Sequence, residues 1–83
     1  MTRDDVLKII KEENLHDFNF YENRHNKEDE VGIKYVNGYW IVYATDERAS
    51  IVTGSEVRFD DEEIALENFV KRLRASEFLR KSK

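Results

Sequence analysis

The chain has 83 residues, no cysteine and no proline, and its 14 basic and 18 acidic residues give a formal net charge of −4. That length holds one small domain with a thin core and excludes a two-domain enzyme. No apolar run approaches the ~20 residues of a membrane helix, and Met1-Thr2-Arg3-Asp4-Asp5 does not read as a secretion signal. Without cysteine there is no disulfide framework, thiolate nucleophile or cysteine metal site. A soluble, cytoplasmic domain is the expectation.

A first helix is predicted from Thr2. Its hydroxyl can cap the N–H of Asp5 while the Asp5 carboxylate reaches back, and Met1 and Val6 stand at staple positions. Val6, Leu7 and Ile10 form an apolar stripe with Ile9 beside it. Asn14 tolerates the left-handed conformation that ends a helix. Phe18 and Phe20 alternate with polar neighbours and fit either a short strand or loop anchors. Residues 22–30 are polar without an apolar period and read as a long loop.

The hairpin is the strongest local signal. Val31-Gly32-Ile33-Lys34-Tyr35-Val36 and Tyr39-Trp40-Ile41-Val42-Tyr43-Ala44 flank Asn37-Gly38, the preferred pair for a two-residue turn with positive φ at both positions. That turn sets Val36 opposite Tyr39 and Ile33 opposite Val42. Cross-strand partners share a face. Val31, Ile33, Tyr35, Trp40, Val42 and Ala44 make an uncharged core face. Gly32, Lys34, Val36, Tyr39, Ile41 and Tyr43 make the other. A polar connection then leads to a third strand within 51–59, with Val57 and Phe59 inward, Glu56 and Arg58 outward and Gly54 at a bulge.

The last helix is predicted to start at Asp60, with Asp60 and Glu63 as a capping box and Phe59 and Ile64 as a staple. Ala65, Leu66, Phe69, Val70 and Leu73 form its inward stripe. The predicted architecture is α+β: an N-terminal helix, a three-stranded antiparallel meander and a C-terminal helix, both helices on one sheet face. Residues 1–76 form the domain, and 77–83 form a basic tail that frays.

Little supports catalysis. His16 and His25 lie in polar loops, and Glu28-Asp29-Glu30 lacks the spacing and glycine of a calcium loop. There is no phosphate-cradling loop and no nucleophile elbow. The chain is read as a non-enzyme without metal or cofactor. The basic cluster Lys71, Arg72, Arg74, Arg80, Lys81 and Lys83 raises an RNA-binding alternative. The helix–three strands–helix order is also that of double-stranded RNA-binding domains, whose second helix starts basic. Here it starts Asp60-Asp61-Glu62-Glu63, which repels phosphate, so nucleic acid is the lesser reading.

The second sheet face carries more content. Val36, Tyr39, Ile41 and Tyr43 lie side by side, rimmed by Lys34 and Arg58. An exposed apolar patch with tyrosines marks a partner surface. Phe18, Phe20 and Tyr21 folding over it, or a small regulatory homodimer, are the competing expectations. Asp46-Glu47-Arg48 offers charged contacts at one end of the sheet.

Residues 30–74 resemble a family of small bacterial immunity proteins that accompany polymorphic toxins. The pattern is Asn37-Gly38-Tyr39-Trp40-Ile41-Val42-Tyr43, then Asp46-Glu47-Arg48, then Phe59-Asp60 opening an acidic helix with Ala65 and Phe69. Where the family tends to place glycine after arginine, this chain has Ala49. The resemblance implies a non-catalytic inhibitor that binds and blocks a cognate toxin. The expected partner-binding residues are Lys34, Val36, Tyr39, Ile41, Tyr43, Glu47 and Arg48, with residues 28–30 adding charged rim contacts. A net-acidic inhibitor suits a basic nuclease toxin through electrostatic steering.

Overall fold

The computed structural model describes residues 1–81. Its elements are α1 (Arg3–Glu13), β1 (Phe18–Phe20), β2 (Val31–Val36), β3 (Tyr39–Ala44), β4 (Val57–Phe59) and α2 (Glu62–Lys81). The strands form one sheet in the order β1-β2-β3-β4. The α+β class is as predicted, but the sheet is a four-stranded mixed one rather than a three-stranded antiparallel meander. Phe18 and Phe20 belong to the extra strand, which pairs parallel to β2 with Phe18 beside Val31 and Phe20 beside Ile33. The long 21–30 connection makes this possible, because it carries the chain back along the sheet before β2 begins.

Both helices lie on one face. Val6 of α1 and the α2 stripe Ala65, Leu66, Phe69, Val70 and Leu73 close on Val31, Ile33 and Val42, with Phe18, Phe20, Trp40 and Phe59 packed around them. Leu7 is the exception to the predicted α1 stripe and faces solvent.

Local signals fix the element ends. Thr2 and Asp5 form the capping box, and Asn14 ends α1 in the left-handed region at φ 53°. Asn37 and Gly38 have φ of 50° and 87°, and the hairpin register is the one the turn dictates, from Val36 beside Tyr39 to Val31 beside Ala44. The cap of α2 is Asp61 rather than Asp60: its carboxylate accepts the Glu63 N–H at 2.9 Å. The frame therefore shifts by one, and Ile64 is exposed instead of stapled to Phe59.

β4 is short. Gly54, at φ 85°, sits in a turn closed by the Ser55 N–H on the Val52 carbonyl, not at a bulge. The Ser55 hydroxyl accepts the Ala44 N–H, taking the place of a further strand rung, and donates to the Val52 carbonyl at 2.7 Å. At the far end, α2 continues past Ser76 to Lys81, where a fraying tail was predicted over 77–83. Arg80 pairs with Asp17 at 2.5 Å and ties that last turn to the α1–β1 connection. Residues 82–83 lie outside the described residues.

Candidate functional site

Strand alternation places Asn19, Gly32, Lys34, Val36, Tyr39, Ile41, Tyr43 and Arg58 on the sheet face away from the helices. The face divides into a covered half and an open half. Phe18 and Phe20 do not cover it, since they pack into the helix-side core. The 22–30 loop does.

Tyr43 is 3% exposed, so it is not the open contact residue expected. Its ring lies down over Gly32, where even a Cβ would run into the ring atoms. Its hydroxyl donates to Asn26 Oδ1 at 3.3 Å. The loop above is wound on a buried ion pair. Arg24 Nη2 meets Glu30 Oε1 at 2.8 Å, and the Glu30 side chain is 1% exposed. Glu30 Oε2 also accepts the Lys27 N–H at 2.9 Å, and Arg24 donates to the carbonyls of Phe18 and His25. Burial pushes the Glu30 carboxyl up, but Arg24 and the Lys27 N–H together carry it below the usual carboxylate range. Glu30 is thus a structural anchor and not the rim contact expected, whereas Glu28 and Asp29 are exposed.

The open half holds Val36 and Tyr39, 39% and 41% exposed. Arg58 lies over the Tyr39 ring at 4.6 Å, and Lys34 reaches toward the Tyr43 ring at 5.2 Å. Ile41 stands between Lys34 and Arg58 in the register and is 9% exposed, correcting its expected openness. The helices also stop short of the hairpin tip. Tyr35 has core-face parity yet is largely exposed, its ring tilted against Trp40 at 4.9 Å.

Glu47 and Arg48 are exposed but do not join this patch. They lie beyond the opposite end of β3, roughly 20 Å from Tyr39 at ~3.4 Å per residue. Their turn is built by Asp46, whose carboxylate accepts the N–H groups of Arg48 and Ser50. Ala49 in that turn has φ 62°, the left-handed conformation that favours glycine. That conformation accounts physically for the glycine of the resembling pattern at this place.

The basic cluster of α2 is largely committed internally. Arg74 makes two hydrogen bonds to Glu13, Arg80 pairs with Asp17, and Arg72 donates to the Ser55 carbonyl at 2.7 Å. Lys71 is exposed, and the Lys81 side chain and Lys83 lie outside the described residues. At the other end of α2, Glu62 accepts hydrogen bonds from the Tyr21 hydroxyl and from Arg3 Nε, each at 2.6 Å. The Tyr21 hydroxyl, opposed by burial and helped by Arg3, holds the Glu62 carboxyl below its ordinary range. Among the described residues no group of three His, Asp or Glu side chains could hold a metal ion. No described helix is long and apolar enough to cross a membrane.

The arrangement is that of a small α+β domain with half of one sheet face left uncovered. Residues 1–83, the whole chain, match the family model Immunity protein 59, and the chain belongs to that family. The match extends the resemblance from residues 30–74 to both ends. No curated protein and no solved structure matches the chain.

Proposed function

We propose that the protein is a non-catalytic immunity protein that binds a cognate bacterial toxin in the cytoplasm and blocks it through the open half of the sheet face. The observation that carries this reading is the exposure of Val36 and Tyr39 side by side at the hairpin end, in a chain of an immunity-protein family. Large apolar and aromatic side chains left in water beside cations are the composition of a binding hot spot. Lys34 and Arg58 frame the centre. Ile41 is buried between these two cations, Tyr43 lies under the 22–30 loop, and Glu47 and Arg48 lie outside the patch.

The test is co-expression with the toxin gene adjacent to this one in its native genome. Wild type should protect the host cells. Tyr39→Asp should remain folded by circular dichroism and lose binding by ~30-fold or more, the scale of an aromatic hot spot. Tyr39 is the position to change because Asp at the buried Ile41 would unfold the domain. If folded Tyr39→Asp protects as well as wild type, the sheet face is not the inhibitory surface. A mass twice that of the chain, lost in Tyr39→Asp, would assign the patch to self-association.

A further inference from the structure

The chain is acidic, yet its open face is not. Within the four strands, the charged side chains on the face away from the helices are Lys34 and Arg58. Among the described residues neither forms an ion pair, although the same structure pairs Arg3, Arg24, Arg74 and Arg80 with carboxylates. Glu56 and Asp60, both exposed, flank β4 in sequence, and neither forms an ion pair among the described residues. Both cations are instead held against tyrosine rings, which orients them before any partner arrives.

A cleft of about 550 Å³ opens beside Lys34, between the 21–26 loop and Tyr35. Arg3, Arg24 and Glu22 also line it; Arg3 pairs with Glu62, and Arg24 pairs with both Glu30 and Glu22. Lys34 is the cleft cation that forms no ion pair among the described residues. At the other side of the patch, the Arg58 guanidinium presents the planar fork that matches a carboxylate.

We infer that this face takes an acidic surface of the toxin, with partner carboxylates seated at Lys34 and Arg58 on either side of Ile41. The inference rests on the immunity reading and sets the sign of the contact opposite to the sign of the chain. The net charge of −4 governs long-range approach, while local complementarity governs docking. The acidic first turns of α2, with Asp61, Glu63 and Glu67 exposed, lie apart from the patch and are not the contact.

The test is isothermal titration calorimetry with the purified toxin domain encoded beside this gene, in its catalytically inactive form. Lys34→Glu/Arg58→Glu should weaken Kd on the order of 100-fold, and Lys34→Gln/Arg58→Gln by an intermediate amount. Glu63→Lys/Glu67→Lys should change Kd by less than about 3-fold, as expected of charges outside an interface. All variants are compared with wild type by circular dichroism first. If only the α2 reversal weakens binding, the toxin is basic at its contact. That result overturns this inference and leaves the immunity reading standing. If wild type does not bind the toxin domain, both fall together. If a labelled single-stranded RNA binds and Lys34→Glu/Arg58→Glu abolishes it, the anion is phosphate and the carboxylate inference is overturned.

Discussion

Arg24→Met removes one charge from a pair whose other member cannot reach water. Glu30 loses two guanidinium bonds, at 2.8 and 3.2 Å, and keeps the Lys27 N–H. The carbonyls of Phe18 and His25 lose a donor as well. Breaking a buried ion pair from one side costs about 3–5 kcal/mol. A chain of this size has ~4–12 kcal/mol in total, so the loss takes a large share of it. The midpoint of thermal unfolding should fall by roughly 12 °C or more. The pH dependence separates this mechanism from simple loss of packing. With Arg24 gone, burial of Glu30 is opposed only by Lys27, so its folded pKa rises from the depressed position it has in the wild type. The stranded carboxylate then takes up a proton on acidification, and the penalty shrinks as pH falls from 7 toward 5. Urea unfolding of wild type and variant at both pH values measures this. A loss under about 1 kcal/mol, or a loss unchanged by pH, would refute the claim that the 22–30 loop is anchored by this pair.

Ala49→Gly should raise stability by about 0.5–1 kcal/mol, since it relieves a side chain held at φ 62° in the turn built by Asp46. Urea midpoints would show it, and a decrease would mean that the Ala49 methyl contributes packing worth more than the strain. Wild type should lose stability on acidification. Glu30 and Glu62 have folded pKa values below their unfolded ones. Their contribution is therefore complete above the unfolded carboxylate range, ~4.3, and disappears as pH drops through the lower folded values. Glu62→Gln should be less stable than wild type at pH 7 and show a flatter thermal midpoint between pH 5 and 3.

What could be read in advance was what neighbours in sequence decide. Thr2 with Asp5, Asn14, and Asn37-Gly38 each act within a few residues, and the structure keeps all three. The hairpin turn then fixes two faces at once, because strand side chains alternate. The shift at α2 shows the limit of this reasoning. Asp60 and Asp61 are both competent caps in sequence, and in the structure it is Asp61 that accepts the Glu63 N–H. The parallel strand β1 was ambiguous for a related reason: its pairing depends on where the next ten residues go, which no local rule states.

The site was legible as a face and illegible as an exposed area. Polar loops read as solvated, so Arg24 and Glu30, six residues apart, gave no sign of meeting under cover. One signal did point there. Gly32 interrupts a strand of large residues directly opposite Tyr43. A glycine inside a strand often marks a close approach by another group. Read that way, Gly32 already implies that the Tyr43 ring lies flat on the sheet. A tyrosine lying flat presents its far side to whatever passes over it, and the nearest chain is the 22–30 loop. The same step leaves Val36, Tyr39 and Arg58 beyond the reach of that loop, with Lys34 at its margin. The boundary between covered and open halves is therefore set by one residue too small to hold the ring upright, and the contact surface begins where its effect ends.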